Sequence, residues 1–436
     1  MTAGHDPRTV LGARLQAAVA KAFGAEHATV DPMVRRSERA DFQADLAMGM
    51  AKALKRAPRQ VAEAVVAAAD LTDVCERVEI AGPGFINLVL TKSFIEQGLA
   101  AIARDERLGV PAAKVKDRVV IDYSAPNVAK EMHVGHLRTT IIGDALARLL
   151  AFAGHEVIPQ NHIGDWGTPF GMLIEHLLDV GASGTQASLG ELGDFYRAAR
   201  AKFDGDPKFA DRARERVVRL QAGDARTLDL WRQLVELSNR HFSTVYQRLG
   251  VRLRTEDVRG ESAYNAALPE VAAELERKGL ASINDGALCA FPPGFTNRDG
   301  EPLPLIVRKK DGGYGYAATD LAALRYRTQT LKGTRLLYVV GTTQAQHLSM
   351  VFAVGAQAGW LVPPARAEHV GFGSILGADK KMFKSRAGDT VLLTDLLDEA
   401  VERAEAELAK RGGEGSAEER RALAAEIGIG AIKYAD

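Results

Sequence analysis

Two histidines separated by two residues form the first pattern in this sequence that could do chemistry. The run His133-Val134-Gly135-His136 follows a short apolar stretch and precedes a stretch of helical periodicity. Ligands of open α/β sheets bind beyond the carboxyl ends of the strands, where a helix start offers N–H groups and partial positive charge. Both imidazoles can donate hydrogen bonds to phosphate oxygens there, and Gly135 lets a nucleotide approach the backbone. Helix-capping histidines and a metal site are alternative interpretations, although the spacing supplies no third metal ligand.

A basic cluster near the end of the chain is the second pattern. It reads Lys380-Lys381-Met382-Phe383-Lys384-Ser385-Arg386 and is followed by Gly388-Asp389. Ammonium groups on a glycine-flanked loop can stabilise the charge that develops on a transferring triphosphate. In isolation such a cluster is more often a solvated basic turn. The phosphate-binding interpretation is favoured because the cluster follows the histidine pair, far along the same chain.

Composition indicates an ordinary globular protein with no field that attracts nucleic acid from a distance. Of the 436 residues, 46% are hydrophobic, and 56 basic residues balance 56 acidic ones. Any RNA contact must therefore come from a local patch. Cys75 and Cys289 are far apart, and neither is in a CxxC pair, which argues against zinc clusters and disulfide frameworks. Without a membrane-length apolar run or a secretory pattern, a cytoplasmic location is expected.

The first motif is embedded in a strand–loop–helix–strand pattern. Residues 118–123 form an apolar run typical of a buried parallel strand, residues 137–150 have helical periodicity, and residues 157–159 resume a strand. This is a βαβ unit, and the sheet pattern is expected to return at residues 303–307 and 336–340. Before it, helical regions and two strands around Gly82-Pro83-Gly84 indicate a separate small domain. The predicted fold is α/β: a Rossmann-like parallel-sheet domain with a helical insertion, preceded by a small α+β domain.

The two motifs resemble the HIGH and KMSKS signatures of class I aminoacyl-tRNA synthetases. Their surroundings resemble arginyl-tRNA synthetases in particular, and this resemblance runs from about residue 10 to the last residue. The stretches that carry it are residues 82–87, 122–132, 161–168 and 308–314. The implied domains are an N-terminal tRNA-elbow-binding domain (1–112), a catalytic domain with a helical insertion at about 190–300 (113–376), and the KMSKS loop with the start of a helical region (377–436).

The resemblance implies an arginine–tRNA ligase that acts on L-arginine, ATP and tRNA(Arg). The arginine carboxylate would attack the α-phosphate of ATP in line, and the resulting arginyl-adenylate would acylate the tRNA 3′ end. Positioning and charge stabilisation do most of this catalysis, which fits the absence of a Ser-His-Asp or Cys-His pattern. Mg²⁺ is expected to arrive with the triphosphate, held largely by phosphates and water, so no dedicated protein metal site is predicted. A monomer is expected.

The resemblance also assigns roles to individual residues. Catalysis is expected from Lys130, His133, His136, Lys381 and Lys384. ATP binding is expected from His133, Gly135, His136, Lys381 and Lys384. Arginine binding is expected from Ala125, Pro126, Asn127, His136, Tyr316, Asp320 and Gln344. Tyr316 and Asp320 are four apart, so a helix would present both on one face, where a carboxylate can pair with a guanidinium. In isolation, Asp320 would more often be a helix N-cap.

The sequence departs from the pattern of the family at two places, the lysines of the site and the residues near Gln344. Lys130 matches a lysine that many arginyl enzymes use when their second motif is degenerate, whereas here Lys381 and Lys384 are both present, so the lysines are expected to share the role. Gly341 and Thr343 stand where many relatives have Asp and Arg, which affects the expected surroundings of Gln344.

Alternative functions remain at this point. A dinucleotide oxidoreductase is suggested by Gly371 and Gly373, but the chain lacks a G-x-G-x-x-G run after the first strand. A paralogue or truncated module that binds or activates arginine without efficient tRNA charging is the second alternative. The resemblance implies a helical anticodon-binding domain that this sequence does not contain. Either the sequence is part of a longer protein, or the protein dispenses with that domain.

Overall fold

The chain divides into two compact units, Met1–Lys114 and Val115–Asp436. The computed structural model describes residues 6–167, 169–187, 192–375, 391–412 and 415–435. Within those ranges, no helix has the length and apolar character needed to cross a membrane.

The first unit is a small α+β fold built on an antiparallel sheet. Its elements are α1 (Pro7–Phe23), β1 (Val34–Arg36), β2 (Phe42–Ala44), α2 (Leu46–Leu54), α3 (Pro58–Ala68), β3 (Cys75–Ala81), β4 (Phe85–Leu90) and α4 (Lys92–Arg104). The strand order is β1-β2-β4-β3. Gly84, in the β3–β4 turn, has a φ of +147°, and a Cβ there would lie 2.8 Å from the carbonyl carbon of Pro58. The hairpin predicted around this turn is confirmed.

The second unit contains the following elements in chain order: β5 (Arg118–Asp122), α5 (Leu137–Phe152), β6 (Glu156–Gln160), α6 (Pro169–Ala187), α7 (Leu192–Gly205), α8 (Pro207–Gln221), α9 (Ala225–Leu249), α10 (Leu268–Arg277), β7 (Ala281–Asn284), β8 (Ala287–Ala290), β9 (Leu305–Arg308), α11 (Tyr316–Arg325), β10 (Arg335–Gly341), α12 (Ala345–Gln357), β11 (Arg366–Phe372), α13 (Leu393–Lys410) and α14 (Ala417–Ala435).

A parallel sheet of order β11-β10-β5-β6 organises this unit. The β5-α5-β6 crossover extends the sheet to one side and β10-α12-β11 extends it to the other, so the strand order reverses between β5 and β10. Side chains of β5 alternate between two apolar layers, with Val119 and Ile121 in one and Val120 in the other. Because both faces are covered, the strand is apolar throughout. Ligands of such sheets bind where the strand order reverses, at the carboxyl ends. The predicted α/β fold is confirmed.

The segment between β6 and β10 differs from the expectation in two respects. Its helices run from Pro169 to Arg277, whereas the sequence indicated an insertion at about 190–300. The strand expected at residues 303–307 is β9, which lies outside the parallel sheet, in a separate antiparallel sheet of order β7-β8-β9. Leu305 and Val307 are buried while Ile306 is 47% exposed. That alternation is typical of a half-buried antiparallel strand rather than a fully buried parallel one.

Candidate active site

A cavity of about 890 Å³ opens at the carboxyl ends of β5, β10 and β11 in the second unit. Its walls come from the loop after β5, the first histidine motif, the start of α11, the end of β10 with the turn that follows, and residues 372–375. Of the residues that the sequence predicted for the site, those lining it are Ala125, Asn127, His133, Gly135, His136, Tyr316, Asp320 and Gln344. The cavity therefore coincides with the point where the strand order reverses.

The histidine motif forms a short 3₁₀ turn, Val134–His136, that leads into α5. The backbone N–H of His133 donates to Nδ1 of His136 at 3.1 Å, and the N–H of Gly135 donates to Nδ1 of His133 at 3.0 Å. Since both Nδ1 atoms accept, each neutral ring carries its proton on Nε2. Burial lowers the pKa of His136 to about 3, with further lowering by His133 and Lys130, and burial and Lys130 lower the pKa of His133. The motif thus presents two uncharged N–H donors at neutral pH.

Gly135 preserves this arrangement. A Cβ at this position would lie 2.7 Å from Cε1 of His133 and 2.9 Å from its Nδ1. Any larger residue would displace the imidazole that caps the turn. The position of the His133 ring therefore requires a glycine at residue 135, whether or not a ligand approaches the backbone there.

The loop after β5 has an unusual backbone, with φ of +72° at Ser124 and +47° at Ala125. Such conformations cost roughly 1–3 kcal/mol each and persist only where the surroundings impose them. Here the N–H of Ser124 donates to Oγ1 of Thr139 at 3.0 Å, and the N–H of Ala125 donates to Oδ1 of Asn161 at 3.0 Å. The Ser124 hydroxyl also lies 2.7 Å from the Tyr246 hydroxyl in a buried position. These bonds fix the backbone that carries the next residues into the cavity.

Asn127 enters the cavity against the backbone of Gly164. The N–H of Val128 donates to the carbonyl of Gly164 at 3.0 Å, and the N–H of Gly164 donates to the carbonyl of Pro126 at 3.1 Å. A Cβ at Gly164 would lie 2.3 Å from Oδ1 of Asn127. Pro126 itself is buried behind the wall and does not line the cavity.

The far wall carries the acidic and phenolic groups. Tyr316 begins α11 and is 76% exposed, and Asp320 follows one turn later, inside the helix rather than at its N-cap. Oδ2 of Asp320 lies 2.6 Å from Nε2 of His347, and this hydrogen bond raises the pKa of the histidine. Glu261 lines the same wall, where burial, Asp165 and Asp320 raise its pKa to about 8. A cation is therefore favoured at this end of the cavity.

Sequence reasoning missed His347 and Glu261. His347 lies three residues after Gln344, so helical spacing from a residue already assigned to the site was a usable signal. Glu261 is in a 3₁₀ turn, Glu261–Ala267, more than fifty residues before Tyr316, and no local pattern distinguishes it. Near Gln344, the chain has Gly341 where many relatives have Asp. A Cβ at Gly341 would meet nothing nearer than 3.8 Å, so the position has room for a larger side chain.

The sequence also predicted three lysines for the site. Lys130 is exposed and does not line the cavity, and its Nζ lies 4.6 Å from the ring centroid of Tyr196. Lys381 and Lys384 lie outside the described residues. On either side of them, however, described residues bond to the first motif or to α5. Arg138 donates to the carbonyl of Gly373 at 2.8 Å.

On the other side, two backbone bonds join the start of α13 to the histidine motif. The N–H of Val134 donates to the carbonyl of Val391 at 3.1 Å, and the N–H of Leu393 donates to the carbonyl of Met132 at 2.9 Å. Described residues on both sides of the second motif therefore contact the first motif or the helix that follows it. Among the described residues, no group of three or more His, Cys, Asp or Glu side chains could hold a metal ion.

Comparison with known proteins agrees with this geometry. Residues 99–436 match the family model described as "tRNA synthetases class I (R), catalytic domain", and residues 9–90 match "Arginyl tRNA synthetase N terminal domain". An arginine–tRNA ligase of Thermobifida fusca is 55% identical over 99% of this chain and 75% of its own length. One of Nostoc sp. is 50% identical over 97% of this chain and 73% of its own length. The crystal structure of arginyl-tRNA synthetase from Plasmodium falciparum has a TM-score of 0.73 and 27% identity, covering 98% of this chain and 74% of that one. The chain belongs to the arginyl-tRNA synthetase family of class I tRNA synthetases.

Proposed function

We propose that the cavity is where this arginine–tRNA ligase joins L-arginine to ATP and then transfers the arginyl group to tRNA(Arg). The observation that carries the assignment is the polarity of the cavity. Two neutral N–H donors at a helix start form one end, and two carboxyl groups with a phenol form the other. A carboxylate oxygen of arginine attacks the α-phosphorus, the bond to the departing pyrophosphate breaks, and a tRNA hydroxyl later displaces AMP.

At the histidine end, the Nε2–H groups of His133 and His136 would bind phosphate oxygens, and the positive end of α5 lies directly behind them. Because both rings are neutral, they cannot match the charge of a triphosphate. We assign that role to Lys130, Lys381 and Lys384, together with Mg²⁺ bound to ATP, which neutralises phosphate oxygens when present. Gly135 leaves room for the nucleotide beside the turn.

At the acidic end, Asp320 would pair with the guanidinium, and Tyr316 and Gln344 would complete the pocket. A carboxylate is the bidentate partner that separates a guanidinium from an ammonium. Glu261 adds a second acceptor that ionises when the cation arrives, because the positive charge offsets its burial. Asn127 and the backbone of Ala125 would bind the amino-acid end of arginine, nearer to His136.

We further propose that residues 1–112 bind the tRNA elbow, that residues 113–376 form the catalytic domain, and that residues 377–436 carry the second motif. The match of the N-terminal family model to residues 9–90 supports the first of these assignments. A monomeric state and a cytoplasmic location stay predictions from the sequence.

The test is ATP–pyrophosphate exchange with tRNA present, using arginine, lysine and citrulline. Arginine is expected to support exchange, with the other two poor. Asp320→Asn should weaken the binding of arginine far more than the binding of ATP, because a neutral amide cannot form an ion pair with a guanidinium. Exchange with another amino acid but not with arginine would refute the proposal. Exchange with arginine without charging of tRNA(Arg) would indicate the paralogue that activates arginine only.

A further inference from the structure

His347 joins the two helices that form the acidic wall of the cavity. It lies in the first turn of α12, and its Nε2 is 2.6 Å from Oδ2 of Asp320 on α11. The side chains are 29% and 23% exposed, so the pair is half-buried but has access to water. Among the described residues, no other group is hydrogen-bonded to Asp320. The orientation of this carboxylate is therefore set by one histidine.

Acidic groups predominate around the pair. The other ionisable groups on this side come from the loop after β6, the 3₁₀ turn 261–267, α11 and β10, and they are His162, Asp165, Glu261, Tyr316 and Tyr338. Arg327, which lies below Tyr338, is already paired with Asp122 at 2.8 Å. When it is protonated, His347 is thus the cation nearest to Asp320 among the described residues on this side.

A guanidinium and an imidazolium compete for the same carboxylate. Arginine does not lose its proton in proteins, whereas an imidazole does so readily near neutral pH. When the guanidinium reaches Asp320, a second positive charge at 2.6 Å from that carboxylate becomes unfavourable. We propose that His347 positions Asp320 for the guanidinium of arginine, and that arginine binding expels a proton from this histidine to solvent. The inference rests on the proposed arginine site.

The neutral imidazole keeps the geometry after the proton leaves. Its Nε2–H continues to donate to Oδ2 of Asp320, and the proton departs from Nδ1. Since the hydrogen bond to Asp320 raises the pKa of His347 in the empty cavity, the histidine is protonated to a higher pH than usual. Arginine binding should therefore strengthen as pH rises through that pKa and level off above it.

Glu261 acts in the same direction and must be separated from His347. Its pKa of about 8 means that Glu261 is protonated in the empty cavity at neutral pH and releases a proton when the guanidinium arrives. Each group that releases one proton raises the dissociation constant for arginine about tenfold for every pH unit below the pKa of that group. Glu261→Gln removes one of the two contributions.

The experiment is calorimetric titration of the full chain with L-arginine from pH 5.5 to 9, in buffers of different ionisation enthalpy, which counts released protons. In the Glu261→Gln background, we expect up to one proton released at low pH and a tenfold change in dissociation constant per pH unit. Adding His347→Gln should abolish both the release and the slope. His155→Gln, which alters a half-buried histidine outside the cavity, is the matched control and should retain both. A double variant with the same slope as Glu261→Gln would overturn the proposal.

Positioning is tested on the high-pH plateau of arginine binding, where the histidine is neutral. His347→Gln keeps a side-chain N–H donor, whereas His347→Leu removes it, so the leucine variant should bind arginine roughly tenfold more weakly than the glutamine variant. Equal binding by the two would show that the hydrogen bond does not position Asp320. Failure of the proposed function is a different result: arginine would not bind the parent chain, or Asp320→Asn would bind it as well as the parent.

Discussion

Gly164 lies against Asn127, and replacing it with alanine tests whether this contact positions the amino-acid substrate. The added Cβ would be 2.3 Å from Oδ1 of Asn127, so the side chain must move by roughly 0.7 Å to reach the 3.0 Å that real Cβ contacts respect. The backbone of Gly164 does not use the left-handed region, so alanine introduces no strain of its own. A displacement of about 1 Å near reacting groups costs on the order of 100-fold in rate. We expect a loss of about 30-fold in kcat/KM for arginine, or about 2 kcal/mol.

The assay is tRNA-dependent exchange with arginine varied and ATP saturating. Gly341→Ala is the matched control, because it adds the same methyl group at the rim of the same cavity, where nothing lies within 3.8 Å. Asn127→Ala should lower kcat/KM for arginine by a similar factor. The double variant with Gly164→Ala should have a kcat/KM little lower than either single variant, since both changes remove the same contact between Asn127 and the substrate. If Gly164→Ala behaves like Gly341→Ala, Asn127 does not position the substrate. The same conclusion follows if the losses at the two positions simply add.

Three further changes test other parts of the molecule. Asp122→Asn leaves the fully buried Arg327 without its partner, so urea denaturation should show a loss of about 3–5 kcal/mol, and a loss below 1 kcal/mol would mean that the pair contributes little. His136→Ala should lower kcat more than it raises the KM for ATP in exchange kinetics, because its N–H donor acts mainly in the transition state; a change confined to KM would contradict this. Lys130→Ala and Lys384→Ala should be non-additive in kcat if both neutralise the same pyrophosphate, and strict additivity would separate their roles.

Local features of the chain were readable from the sequence because their causes are local. The apolar run at residues 118–123, the histidine motif and the helical periodicity that follows were enough to predict the turn between β5 and α5 that presents both histidines. Ser416 and Glu419 have the spacing of a capping box at the start of α14, and the structure has both bonds: the N–H of Ser416 donates to Glu419 at 2.7 Å, and the N–H of Glu419 donates to the Ser416 hydroxyl at 3.2 Å. The periodic burial of side chains and the hydrogen bonding of backbone N–H groups within one helical turn depend on residues only a few positions away. The spacing of residues in the sequence therefore predicts both.

Tertiary structure alone decided which distant groups meet. It placed β9 in a separate sheet although its apolar pattern resembled the core strands, because register and burial are set by pairing with β8. In the fold, Glu261 and His347 lie beside Asp320 at the cavity. Lys130 instead packs over the ring of Tyr196 and does not line the cavity wall. The charge state of a site depends on desolvation and on every carboxylate within a few ångströms, whatever their separation along the chain. The sequence therefore determined which chemistry this family member carries, whereas the fold determined the protonation and partners of the groups that would perform it.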